Sequence, residues 1–430
     1  MRIPTYPHLG AFESTNIHGS GCDLLATTRH SEYWRQDLEM LVEAGIRELR
    51  YPAPWHRIEP EPGKWDWAWM DGPMQAMFEL GLRPILDPLH HVSFPHWIEG
   101  GFSHADFPAL YCRFIKMLAQ RYEWVDRYTV FNEPLPTVLL CSHSGAWYPH
   151  QRSDSDFARM AANAARAISL ASSELRALHS GVQLVHVDTC EYHRALDRQS
   201  EELVEHVNQR RFLFHDLVLG RIDGAHALLG YLSEHGFRED ERLWFQDHPA
   251  PFDILGLDYY HHSEIDWRWS SEEDRPVIEF PCERPRGFAD VANDYVERYS
   301  LPILLSETNI GGTIEDRVTW LKFMEEQCEL LAQRVDFQGF CWFPSIDATD
   351  WCSLCTVATG EVSPMGIWCL DENRHERRCS ELSYWYSQLA QHKAHSCDLP
   401  AYRFAPPLDS DLRGYLHLMA HWPEWRDVAA

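Results

Sequence analysis

Two glutamates close short apolar runs in this chain. Glu133 ends the strand-like stretch in YTVFNEPLPT, Tyr128 to Thr137, and Glu307 ends PILLSE just before Thr308 and Asn309. A lone acid in either place is explained by a capped turn. A pair of acids can do more: one carboxyl, kept protonated, delivers its proton to a leaving oxygen, while the other, kept ionised, attacks or stabilises the carbon left behind. Both states must exist at one pH. An arginine and hydroxyl donors hold one carboxylate charged, and that charge keeps the proton on the other. Other residue types that could serve a site also end apolar runs: Arg50 in ELRYP, His90 and His91 in DPLHH, Asn132 beside Glu133, Asp258, Tyr259 and Tyr260 in ILGLDYY, and Trp342 in CWFP.

Elements that would gather these residues can be read from periodicity. Short β-branched runs lie at HLGAF near Gly10, at 46–52, 83–89, 127–133, 183–189, 252–260, 302–307 and 337–343. Amphipathic stretches separate them, among them 31–45, 74–81, 107–122 and 156–180. Parallel strands need such crossovers, and eight strand-helix units in one chain predict an α/β fold with a single closed (β/α)8 TIM barrel. In that architecture the strand ends converge on one mouth, so the residues above would share a cavity. Two glutamates, an arginine, an amide, histidines, tyrosines and a tryptophan form a set suited to a sugar.

The remaining features narrow the class. A net charge of -27 over 430 residues does not supply the clustered Lys and Arg that nucleic acid requires. No uninterrupted apolar stretch of about 18 residues offers a membrane span, and the first residues lack a basic start with an apolar run, so no signal peptide is expected. The 12 scattered cysteines are then expected as reduced thiols in the cytoplasm. Cys352 and Cys355 form one CxxC without a second pair, and there is no HExxH, so neither a metal nor an organic cofactor is expected. The segment from about 193 to 250 exceeds one crossover and is expected to hold two or three extra helices. Residues 1–394 read as the barrel and 395–430 as a C-terminal extension folded on its surface, anchored by Trp422 and Trp425, or as a homo-oligomer contact. WDWAWM, Trp65 to Met70, reads as packing, and Tyr259 as core, because successive strand side chains alternate faces.

From about Gly10 to Tyr386 the chain resembles the family one glycoside hydrolases of the clan A barrels. The matching pieces, in order, are RYPAPWHRIEPEPGKWDW, LHHVSFPHW followed by GGF, TVFNEP, ILGLDYY, PILLSET, and WFPSIDATDW followed by MGIWCLD and SYWY. The resemblance implies that Glu133 is the acid/base and Glu307 the nucleophile of a retaining double displacement. It implies that Asn132 holds the sugar 2-hydroxyl, that Tyr260 and Arg50 position and charge Glu307, and that His91 binds near the 3-hydroxyl. It further implies Trp342 as the floor of the first sugar subsite and Glu13 as a clamp on the 3- and 4-hydroxyls, with Asp350 and Trp351 at the sugar-binding turn. Three departures stand out: Thr349-Asp350-Trp351 replaces the family's Phe-Glu-Trp, Asp258 stands where Asn is usual, and Thr308 separates Glu307 from Asn309. The altered turn leaves glucose against galactose open.

The expected activity is therefore exo-acting hydrolysis of a terminal β-linked sugar. Its rivals are a transglycosidase that uses the same acids, an endo-acting glycanase, and a sugar-binding barrel without catalysis. The long loop SHSGAWYPHQRS after NEP favours a closed pocket over an open groove, and retention of both acids argues against a silent barrel.

Overall fold

The computed structural model describes residues 5–279, 282 and 284–403. Eight strands lie at β1 His8–Ala11, β2 Glu48–Pro52, β3 Arg83–Asp87, β4 Arg127–Asn132, β5 Gln183–Thr189, β6 Ile254–Asp258, β7 Ile303–Glu307 and β8 Phe337–Cys341. They close into a barrel in sequence order, every neighbouring pair parallel, with β1 bonded to both β2 and β8. The expected (β/α)8 architecture is thus the observed one, and all eight expected runs contain a barrel strand.

Alternation along the strands separates two cores. Leu9, Ala11, Ile85, Val185, Val187, Ile254, Leu304, Cys341 and Phe343 point inward and fill the barrel. Their neighbours, such as Leu184, Leu255, Ile303 and Phe340, point outward into the much larger layer between sheet and helices. This is the period-two consequence of a pleated strand with both faces covered. The interior is tight: a Cβ added at Gly256 would lie 2.5 Å from Val187 Cγ2 and 2.7 Å from Ser306 Oγ. Trp65 stacks between Trp67 and Phe114 on the outside of the barrel, in keeping with a packing role.

Beyond β5 the structure adds more than the sequence reading anticipates. Four helices occur, not two or three: Glu201–Arg210, Leu213–Val218, Leu229–Glu234 and Glu239–Asp247. Two of them are six residues long, too short for a 3.6-residue period to declare itself. Tyr192–Ala195, Glu264–Ser270 and Arg275–Glu279 also form a three-stranded sheet outside the barrel. Of the C-terminal extension, 395–403 is described. Ser396 donates to both carboxylate oxygens of Glu329 and accepts from Lys322, which ties this segment to helix Ile314–Leu331. Trp422 and Trp425 lie outside the described residues.

Candidate active site

Glu133 is delivered by an abrupt change of direction. β4 ends at Asn132, Glu133 takes a left-handed conformation (φ 48°), and helix Pro134–Ser142 starts at the next residue. Proline at the first helical position loses only a donor that would be unpaired anyway. A left-handed non-glycine residue costs on the order of 1–3 kcal/mol and persists where its surroundings over-determine it. His91, the residue after the His90 bridge to Asn132, shares this strain (φ 52°) and lines the same cavity.

Glu307, the last residue of β7, faces Glu133. One carboxylate oxygen from each of Glu133, Asp258 and Glu307 lies within 4.8 Å of the other two. Their surroundings differ. Arg50 Nη1 donates to Glu307 Oε1 at 2.6 Å and the Tyr260 hydroxyl donates to Oε2 at 2.6 Å. No described side chain donates to Glu133; His91 Nε2 stands 3.8 Å from its Oε2. Burial raises both carboxyls above their ordinary range. The Glu307, Asp258 and Asp188 charges push Glu133 well up, whereas Arg50, His90 and Tyr260 pull Glu307 down against its burial. Glu133 therefore keeps the proton and Glu307 loses it first.

Arg50 is the hub of the charged floor. Its Nη2 donates to Asp87 Oδ2 at 2.9 Å and to Asn132 Oδ1 at 2.6 Å. His90, which the sequence reading leaves without a role, lies between Asp87 Oδ2 (2.8 Å) and Glu13 Oε1 (3.2 Å). Burial alone would lower its pKa, but these two carboxylates raise it to about 10, so it is a second fixed cation beneath the site. Burial raises Glu13, yet His90 and His91 together with the Thr15 N–H bring it down to about 2. His91 moves the other way: burial and the His90 charge hold it well below its ordinary value, and its Nδ1 pairs with Thr137 Oγ1 at 2.9 Å.

A cavity of about 400 Å³ opens above this floor. Glu13, His91, Glu133, Tyr260, Glu307 and Trp351 all line it. Asn132 and Arg50 are buried directly beneath, joined to the lining through Glu307 and to each other. Tyr259 points outward, as alternation requires, and donates to Glu264.

Two expected sugar contacts are corrected. Trp342 is not the floor of the cavity: its side chain is fully buried in the outer core and its Nε1 donates to Met365 O at 2.8 Å. Cys341 and Phe343 are the inward residues of this run, so the residue between them must face out. Phe343 lines the cavity instead, stacked on His90 with ring centroids 5.4 Å apart and lying 5.2 Å from the Arg50 guanidinium. Asp350 is corrected likewise. It is fully buried and absent from the lining, and its Oδ1 accepts from Thr359 N, Thr359 Oγ1 and Gly360 N at 2.9, 2.6 and 2.8 Å. This carboxylate closes its own loop, and Trp351 next to it reaches the cavity. The far wall also went unread: Thr189 ends β5, Glu191, His261 and His262 lie in the loops that follow β5 and β6, His193 stands on the outer sheet and Arg210 ends helix Glu201–Arg210.

A parallel eight-stranded barrel with an asymmetric acid pair at its mouth is the architecture of the clan A β-glycosidases, which this chain resembles. A family model described as beta-galactosidase, Glyco_hydro_42, matches residues 26–105. Beta-glucosidase A of Thermotoga maritima is 20% identical over 391 residues, covering 84% of this chain and 86% of the relative. Beta-glucosidase A of Acetivibrio thermocellus is 23% identical over 398 residues, with 84% and 86% covered. Among solved structures, the family 1 β-glucosidase from Thermotoga maritima superposes with a TM-score of 0.76 at 16% identity, over 90% of this chain and 98% of that one. The same enzyme in complex with glucoimidazole gives 0.77 at 17% identity, over 91% and 99%. At these identities the structural likeness speaks for the fold.

Proposed function

We propose that the protein is an exo-acting β-glycosidase that hydrolyses a terminal β-linked sugar with retention of configuration. The observation that carries this reading is the unequal pair at the barrel mouth: Glu307 held by Arg50 and Tyr260, and Glu133 free of donors, with oxygens within 4.8 Å. Retaining pairs stand ~5–5.5 Å apart, whereas an inverting pair leaves room for water at ~6.5–9.5 Å. In the first step Glu307 attacks the anomeric carbon while Glu133 gives its proton to the leaving oxygen. The carbon–oxygen bond to the leaving group breaks and a glycosyl ester forms on Glu307. In the second step Glu133, now ionised, takes a proton from water, whose oxygen displaces Glu307 and restores both acids.

The cavity supports a single sugar with part of its leaving group, since small-molecule sites run ~300–1,000 Å³. Phe343 offers an apolar face to the ring, and Glu13 and His91 face its hydroxyls. The names of the relatives include both β-glucosidases and β-galactosidases, and a glucoside or galactoside is the proposed substrate. No cofactor takes part in this scheme. A cytoplasmic location is supported by twelve cysteines that are all free; no helix among the described residues is long and apolar enough to cross a membrane.

The test is hydrolysis of aryl β-D-glucosides, galactosides, fucosides, mannosides and xylosides, with the first-formed anomer read by NMR. A β product, and labelling of Glu307 by a slow 2-fluoro glycoside, are the expected results. An α product sinks the retaining mechanism.

A further inference from the structure

Beneath the catalytic floor, on the outward side of β5, three side chains converge that the proposed reaction does not use. His186 and Asp188 are two residues apart on β5 and so project from the same face of the strand. His215 comes from helix Leu213–Val218 in the excursion packed over that face. One ligating atom from each lies within 4.8 Å of the other two, and all three residues are at most 1% exposed. Their polar atoms are the unusual feature. Asp188 Oδ1 accepts from Leu135 N at 3.3 Å and Thr189 N at 3.0 Å, but Asp188 Oδ2, His186 Nε2, and both Nδ1 and Nε2 of His215 have no hydrogen-bond partner among the described residues.

A buried carboxylate oxygen and three imidazole nitrogens, left unsatisfied together, cost several kcal/mol unless something answers them. The imidazoles cannot answer one another, for they meet edge to face with centroids 4.5 Å apart and an interplanar angle of 76°. Aromatic rings pack on the pair, Phe252 against His186 and Tyr295 and Tyr299 against His215, and the Arg298 charge is felt at His215. Two imidazole nitrogens and one carboxylate oxygen, buried together, are the donor set of a divalent transition metal, above all zinc.

We propose that His186, Asp188 and His215 form a structural zinc site, separate from the acid pair, that ties β5 to the helical excursion. A tetrahedral zinc ion with bonds of ~2.0–2.1 Å requires ligand atoms about 3.4 Å apart, so binding draws the three side chains together and leaves the fourth position to a water. The carboxylate keeps its two backbone donors through Oδ1 and offers Oδ2. Through the Leu135 N–H the site also braces the helix that starts immediately after Glu133.

The experiment uses the full chain without a histidine tag, stripped with a chelating resin and then loaded with Zn²⁺ alone, both as folded protein and during refolding. Wild type is expected to retain one equivalent after gel filtration and to melt at a higher temperature than the stripped form. His186→Phe and His215→Phe should each lose the retained zinc and the rise in melting temperature, while Glu307→Gln keeps both, which separates this site from the acid cluster at the mouth. Should a variant fail to fold, Co²⁺ in wild type gives an independent reading: nitrogen and oxygen ligands produce visible d–d bands without a thiolate charge-transfer band. Retention below about 0.1 equivalent after refolding with Zn²⁺, a thiolate band, or loss of the metal in Glu307→Gln would overturn the proposal.

Discussion

Arg50 and Glu307 meet at 2.6 Å with both side chains almost wholly shielded from solvent, and this contact, with those of His90 and Tyr260, lowers Glu307 relative to Glu133. Removing one partner of a buried pair leaves the other charge uncompensated, at a cost of ~3–5 kcal/mol. Arg50 also holds Asp87 and Asn132, so Arg50→Met should lower the melting temperature and, in protein that remains folded, raise the Glu307 pKa. Loss of one preorganised electrostatic contact is worth ~10²–10³ in kcat. Aryl-glycoside kinetics at several pH values, with thermal denaturation alongside, check both effects; wild-type kcat in a folded variant contradicts the assignment.

The pH profile follows from the same asymmetry. Activity requires Glu307 ionised and Glu133 protonated, so the rate should fall at low pH as Glu307 gains its proton and at high pH as Glu133 loses its own. Glu133→Gln should remove the high-pH limb for substrates with good leaving groups, leaving the low-pH limb in place. Stability carries the matching sign. A carboxyl whose folded pKa is raised contributes most below its unfolded value, and that contribution is lost as pH rises through the folded one. Glu133→Gln should therefore be more stable than wild type at neutral pH, by ~0.5–2 kcal/mol, with the gap closing below about pH 4. Melting curves across that range decide it.

The barrel was legible because strands buried on both faces read as continuous apolar β-branched runs, and the last residue of each run is where chemistry gathers. That logic puts Glu133, Glu307, Arg50 and Tyr260 among the strand-end candidates, and the resemblance supplies the roles expected of them. Two kinds of information were not available to it. The face of Trp342 depends on register: after β8 the chain continues to alternate, and a shift of one residue exchanges Trp342 for Phe343. The fate of Asp350 depends on a loop closed by Thr359 and Gly360, nine and ten residues on, which no local pattern announces. The His186, Asp188 and His215 cluster is hidden for a related reason, since His215 reaches β5 only through a six-residue helix.

Exchange of Trp342 for Phe343 as the cavity aromatic has a kinetic signature. Phe343→Ala removes the inward face that stacks on His90 and should lower kcat/KM by about one to two orders of magnitude, equivalent to ~1.4–2.8 kcal/mol of transition-state binding. Trp342→Ala empties a fully buried site and strands the Met365 carbonyl. Its main effect should be a loss of ~3–5 kcal/mol in stability, with kcat/KM per folded molecule close to wild type. Denaturant titration and active-site titration together separate the two; the reverse pattern would restore Trp342 to the cavity.

Asp350 gives the sharpest test of how the sugar is chosen. A carboxylate facing the substrate would set the preference between glucoside and galactoside, and Asp350→Asn would change that ratio. Here the carboxylate instead accepts three donors from Thr359 and Gly360 and holds Trp351 at the cavity wall through the closed loop. Asparagine keeps one acceptor oxygen but loses the charge that strengthens these bonds, and alanine removes the acceptor of the Thr359 and Gly360 donors altogether. Both variants should therefore raise KM for every sugar by a similar factor, alanine more than asparagine, as Trp351 loses its support. The ratio of kcat/KM for aryl β-glucoside to that for aryl β-galactoside should stay within about twofold of wild type, a difference of under ~0.5 kcal/mol in discrimination. A tenfold change in that ratio would return Asp350 to the substrate. A constant ratio leaves selection to groups that do face the sugar, of which Glu13, pinned by Ser14, Thr15 and His90, is the most rigidly held.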